Sequence, residues 1–200
     1  MKAQQPDNHK VSRILDIAFK MFLENGYEAT SVRSICKSAG IEQPTLYYFF
    51  DSKKGLFFSV LKRVWEKHEP QRKKDQTATK DLFLILYSIL RDRMMYTAAN
   101  PDDIRFFIRV ILFPPAALKS ELELLINKLE DQYRSMVQSI FESCKQQKMI
   151  VMNAAEASRV YWKFLNNTTM DIVFSDWRPT ETELKELWDL FVKCRLKGEY

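Results

Sequence analysis

Apolar residues recur along this chain at spacings of three and four, and the every-second-residue alternation of strands is essentially absent. Val11, Ile14, Leu15, Ala18, Phe22 and Leu23 form one stripe, which predicts a first helix from about His9 to Asn25, ended by Gly26. Val32, Ile35 and Cys36 face inward on a second helix, with Thr30 its expected N-cap. A short third, about Pro44 to Phe49, opens with proline where a missing N–H leaves no bond unmade. Asp51 or Ser52 caps a fourth that runs through Leu56, Val60 and Val64 towards His68. The polar stretch Glu69–Lys80 has no apolar period and marks a boundary; beyond it, Asp81 to Ala99 is apolar around most of its circumference, as a buried central helix is. Pro101 starts the next helix and Pro114-Pro115 stops it. Leu118, Leu122, Ile126, Leu129, Tyr133, Met136 and Ile140 then repeat along a helix from about Ala116 to Gln147. Asn153 caps another to Ser175, and Thr180 caps the last, to about Leu196. The chain reads as all-α.

The last two helices carry apolar residues on more than one face. In the final one, Leu184, Leu187, Trp188 and Phe191 make a stripe that Leu190 and Cys194 widen. That much apolar surface points to a second copy of the chain, with these four residues as the candidate dimer interface. Plain intramolecular core is the alternative.

Composition adds a direction. The 200 residues carry a net charge of +5, and its placement is uneven. Residues 1–74 hold 14 Lys/Arg against 8 Asp/Glu, leaving a slightly acidic remainder. A basic N-terminal third fits a polyanion partner, or simply a solvated surface. Cys36, Cys144 and Cys194 are odd in number and widely spaced, so neither a disulfide framework nor a zinc site is expected. The polar start MKAQQPDNHK reads as a disordered arm over residues 1–8, not a signal peptide, and no apolar run is long enough to span a bilayer. A cytoplasmic protein without membrane partner, metal or other cofactor is expected. Only His9 and His68 are present, with no nucleophile–base spacing and no glycine-rich phosphate loop, so catalysis is not expected.

The most informative stretch is Thr30–Phe57, TSVRSICKSAGIEQPTLYYFFDSKKGLF. Two short helices meet at Ser38-Ala39-Gly40-Ile41, where Gly40 is expected at positive φ. Such a helix-turn-helix, with Gln, Thr, Tyr and Lys outward, suits a DNA major groove. Gln43, Thr45 and Tyr47 sit at the exposed start of its second helix: Gln pairs with adenine, Thr touches a thymine methyl, and Tyr donates to phosphate. Arg33, in the first turn of the preceding helix, reaches backbone or a groove edge. Ser31 and Pro44 flank these positions, and Tyr48 is either contact or packing. Ile35, Leu46 and Phe50 read as core.

Residues 11–60 resemble the DNA-binding domain of the TetR family of bacterial transcriptional regulators. Asn25-Gly26-Tyr27 with Thr30–Ile35, then Ala39-Gly40-Ile41, then Leu46–Phe50 with Ser52-Lys53 and Leu56-Phe57 carry the resemblance. It implies about nine helices: an N-terminal helix-turn-helix domain, placed here at 9–68, and a C-terminal ligand-binding and dimerisation domain at 69–200. It also implies a homodimer built from the last two helices. Thr30 resembles the family threonine that caps the second helix and touches phosphate, and Lys53 the lysine that contacts phosphate. Phe49 departs from the pattern, standing where the family has Tyr or His.

The family pocket would lie among the middle helices. Candidate lining residues are Tyr87, Arg91, Phe106, Arg109, Phe113, Trp162, Asn166 and Met170, chosen as aromatic, sulfur or polar groups inside apolar helices. An apolar or aromatic effector with an acidic group meeting Arg91 or Arg109 is the expected ligand; the alternative is that the arginines bridge to Asp92, Asp103 or Asp171. The functional expectation is a homodimeric repressor released from a palindromic operator by that ligand. An activator of the same fold, or a small-molecule binding protein with weak DNA reading, is the alternative.

Overall fold

The computed structural model describes residues 8–68, 80–175 and 177–198, with the backbone alone at His68 and Gln132. Residues 1–7 of the expected arm, and the expected boundary stretch up to residue 79, lie outside the described residues. Nine α-helices are described: α1 Asn8–Ala29, α2 Val32–Ala39, α3 Gln43–Phe50, α4 Lys53–His68, α5 Leu82–Ala99, α6 Pro101–Leu112, α7 Lys119–Gln146, α8 Ala154–Ser175 and α9 Glu181–Phe191. There is no strand among the described residues, so the fold is all-α. A short 3-10 turn, Ala116–Leu118, leads into α7, and Val192–Lys197 leaves α9 as a π-helix.

The chain divides into two compact units. One comprises the described residues up to Lys67 with Arg105–Ala117; the other comprises those of His68–Ile104 and Leu118–Tyr200. The first therefore recruits most of α6, which the sequence placed with the C-terminal part. The reason is aromatic. Phe106 is 1% exposed and packs its ring against Phe19 at 5.5 Å and Phe57 at 5.8 Å, while Phe57 also meets Phe22 and Tyr27.

Arg109, one turn beyond, donates from Nη1 to the Leu23 carbonyl at 2.8 Å, near the C-terminal end of α1. There the helix breaks at Gly26, whose φ of 81° and ψ of 172° belong to a region essentially reserved for glycine. A Cβ on Gly26 would also stand 2.7 Å from the Arg109 guanidinium. Gly26→Ala is therefore expected to destabilise the first unit by about 1–3 kcal/mol, read by thermal unfolding. An unchanged melting temperature would show that the break relaxes at no cost.

In the second unit, α5 contributes Ile85 through Leu90 to the core, with Tyr161, Leu165 and Ile172 from α8 and Val137, Phe141 and Cys144 from α7. Tyr161 is fully buried, and its hydroxyl donates to the Leu86 carbonyl at 2.6 Å. Burial pushes that phenol well above its ordinary pKa, so it remains a donor.

The last helix corrects the sequence reading. Leu184, Trp188 and Phe191 are 0%, 3% and 6% exposed and belong to this same core. Phe191 stacks on Phe164 at 4.4 Å between centroids, and Trp188 meets Tyr161 edge-on at 6.2 Å. The stripe assigned to a dimer interface is thus intramolecular, because one aromatic face of α9 is needed to close its own unit. Of the four, Leu187 alone stays partly exposed, facing with Leu190 a groove of about 700 Å³ between α8 and α9.

Candidate nucleic-acid interface

Helix ends and caps position the helix-turn-helix. Thr30 is 1% exposed, and its hydroxyl donates to the Gly26 carbonyl at 2.8 Å with the Met21 carbonyl at 3.1 Å. It closes α1, so neither the expected N-cap role nor a direct phosphate contact falls to it. Ser31 caps α2 instead. Its Oγ accepts from the Ser34 N–H at 3.0 Å, and its own N–H donates to Ser34 Oγ at 3.2 Å, a reciprocal capping box.

Gly40 ends α2 at φ 62°, ψ 41°, with its N–H donating back to the Lys37 carbonyl and that of Ile41 to the Cys36 carbonyl. The expected left-handed turn is present. Glu42 stands at the N-cap of α3 without a side-chain bond, and Pro44 occupies its first turn. At the next junction Ser52 is the cap. Its Oγ accepts from the Gly55 N–H at 3.0 Å, while Asp51 takes positive φ.

These caps fix one outward face. Leu46 and Phe50 are buried, as are Ile35 and Ala39 on the adjoining α2, so α3 is held by one side. The other side presents Gln43, Pro44, Tyr47 and Tyr48 to solvent, with Thr45 half-buried between them and Arg33 exposed on α2. Tyr48 is 76% exposed and leans edge-on against Phe49, which removes core packing from its two readings. Lys53 is the most constrained member of the set. Its ammonium donates to the Glu28 carbonyl at 3.3 Å and sits 4.3 Å from the centroid of the Tyr27 ring. The cation is thereby presented at the start of α4 instead of sweeping freely through solvent.

The expected ligand-lining residues do not converge. Phe106, Arg109 and Phe113 belong to the first unit: Phe106 is core there, Arg109 caps α1, and Phe113 is 76% exposed. Tyr87 is buried against Trp188, and its hydroxyl reaches the Glu181 carbonyl at 3.4 Å. Arg91 donates to the Asp92 carboxylate at 2.9 Å and lies 3.8 Å from Glu181, which is the bridging alternative realised. Trp162 and Asn166 do share one groove, between α7 and α8; Met170 is half-buried further along α8.

Sequence reasoning passed over Arg93, two residues beyond Arg91 on the same apolar helix. Its Nη2 donates to Asn166 Oδ1 at 2.8 Å and its Nε to Thr169 Oγ1 at 3.1 Å. Burial pushes its pKa below the ordinary arginine value. The rule that singled out Arg91, a cation inside an apolar helix, applies to it equally.

Residues 14–60 match the family model of bacterial regulatory proteins, tetR family. Over 61 residues the chain is 46% identical to the HTH-type transcriptional repressor ComR of Escherichia coli (strain K12), a match covering 28% of this chain and 29% of that protein. The likeness to solved structures extends much further. A Saccharomonospora viridis protein in complex with choline superposes with a TM-score of 0.76 at 15% identity, over 94% of this chain and 98% of that one. The regulator FadR from Bacillus subtilis in complex with stearoyl-CoA gives 0.70 at 20% identity, over 94% and 99%. Sequence likeness is thus concentrated in the helix-turn-helix, and fold likeness spans nearly the whole chain.

Proposed function

Since this chain belongs to the tetR family of bacterial transcriptional regulators, we propose that it is a homodimeric repressor that reads a palindromic operator through α3. A small-molecule effector held by the C-terminal unit releases it. The observation that carries the reading is the outward face of α3. Gln43, Thr45, Tyr47 and Tyr48 are presented by a helix whose other side is anchored through Leu46 and Phe50, with the Lys53 cation fixed beside Tyr27. Exposed amide, hydroxyl and ammonium groups on a rigid element are what base edges and phosphates require.

The dimer surface is proposed on the face of α8 and α9 that the core leaves uncovered. Phe174 and Leu190 are 74% and 60% exposed, and Leu187 and Trp177 line the groove beside them. A dimer that reads successive major grooves of a two-fold site needs its two α3 helices roughly 34–36 Å apart. The effector acts by binding one spacing of these helices better than another. Its chemistry does not follow from the fold, since the two neighbours above hold stearoyl-CoA and choline. No helix among the described residues is long and apolar enough to cross a membrane, and work on cytoplasmic DNA is the natural setting. Footprinting on DNA upstream of the protein's own gene tests the proposal. A protected segment with two-fold symmetry is expected; protection spread evenly over any DNA would overturn it.

A further inference from the structure

Two hydrogen-bond donors in the second unit stand side by side without a full complement of acceptors. Trp162 Nε1 is buried and has no partner among the described residues. Arg93 places its guanidinium carbon 5.7 Å from the centroid of the same indole. Of its five N–H groups two are used, both on neutral oxygens, Thr169 Oγ1 and Asn166 Oδ1. No carboxylate lies within salt-bridge distance of it among the described residues.

A second guanidinium, that of Arg134, lies 5.6 Å from the same ring. Glu130 is 2.7 Å from Arg134 and attracts Arg93 at longer range, so one carboxylate faces two cations. Trp162 and Asn166 line a groove of about 470 Å³ between α7 and α8 together with Arg134, Arg159 and Lys163. Trp162, with its unpaired N–H, lines this groove, and Arg93 lies behind it, bonded to the lining residue Asn166. A groove with basic walls and such donors at its back lacks an anionic acceptor.

We propose that this groove is an oxyanion site, taking the carboxylate or phosphate of a small organic molecule on Arg93 and the Trp162 indole N–H. The assignment deepens the effector reading above and rests on it for its consequence at DNA, while anion binding itself stands on the groove alone. Arg91 and Arg109, the cations expected from sequence, are engaged elsewhere with Asp92 and Leu23.

Calorimetric titration of the full chain with octanoate, octyl phosphate and neutral octanol tests this. One or both anions should bind saturably, and octanol at least about tenfold more weakly; which anion binds separates carboxylate from phosphate. Arg93→Gln should weaken the anion by about 10- to 100-fold while leaving octanol unchanged. Arg93→Lys, which keeps the charge, should recover part of the loss and guards against a folding defect in the glutamine variant. Trp162→Phe, which removes only the N–H donor, should weaken the anion less.

Absence of saturable binding by either anion, or equal binding to wild type and both Arg93 variants, overturns the site. Gel-shift titration of the same variants on operator DNA keeps the two ideas apart. If anions bind through Arg93 without releasing DNA, the site stands and its role as effector site fails. If neither anion binds while another ligand releases DNA equally from wild type and Arg93→Gln, the oxyanion site fails and the regulator reading stands.

Discussion

Trp188→Ala is expected to cost about 3–5 kcal/mol of stability and to do so in the isolated chain, at protein concentrations too low for any dimer. Trp188 is 3% exposed and ringed by Tyr87, Tyr161 and Phe191, with Phe83 beside it, so truncation leaves a cavity that rigid neighbours cannot fill. Net stability for a domain is only about 5–15 kcal/mol, so much of the second unit's margin would go. Leu190→Glu is the counterpart on the same helix. Leu190 is 60% exposed, so the monomer should lose no more than about 0.5 kcal/mol, whereas a dimer closed through this face should dissociate. Urea unfolding and sedimentation of the two variants read both effects. A stable monomeric Trp188→Ala protein would restore the interface reading that the structure corrects.

The second large effect is expected at the DNA face. Tyr47→Ala should weaken operator binding by about 1–3 kcal/mol per dimer, from one hydrogen bond worth 0.5–1.5 kcal/mol lost on each subunit. Lys53→Met keeps the stem over the Tyr27 ring and removes the charge. Affinity should fall for every DNA sequence alike, and the slope of log affinity against log salt should shrink by about 0.9 per subunit. The two substitutions therefore separate contact types: one changes strength at fixed salt slope, the other changes the slope. The Tyr47 side chain is 42% exposed and makes no hydrogen bond among the described residues, so its removal should leave the melting temperature unchanged. Unaltered affinity in both variants would mean that α3 and the start of α4 are not where DNA sits.

The caps and turns were the most legible part of the sequence because they depend on local chemistry alone. Gly26 takes the positive φ that breaks α1 and Gly40 the one that ends α2, Asn153 Oδ1 accepts from the Glu156 N–H, and Thr180 forms a capping box with Glu183. Thr30 and Ser31 show the limit of that legibility. Adjacent hydroxyls are both suited to capping, and the choice between them depends on which one the α1 carbonyls already hold.

Burial around a helix was less legible still. The Leu184–Trp188–Phe191 stripe is apolar whether it meets its own core or a second copy, and only Phe164 and Tyr161 across the way decide. The same holds for Phe106. Its place in the first unit follows from aromatic partners about fifty and about ninety residues away in sequence, Phe57 and Phe19. Among the arginines, the sequence singled out Arg91 and Arg109, yet Arg93 is the one bonded to Asn166 in the α7–α8 groove. Charge inside an apolar helix was the right signal; the partners that use it up come from other helices.

Operator reading by α3 is open to competition binding at physiological salt. Labelled upstream DNA would be displaced by unlabelled operator or by a scrambled duplex of equal length and composition. A preference for operator of about 10³-fold or more is expected, collapsing when Gln43 and Tyr47 are replaced together by alanine. A ratio near one for the wild-type chain, or a high ratio that survives the double substitution, would contradict it.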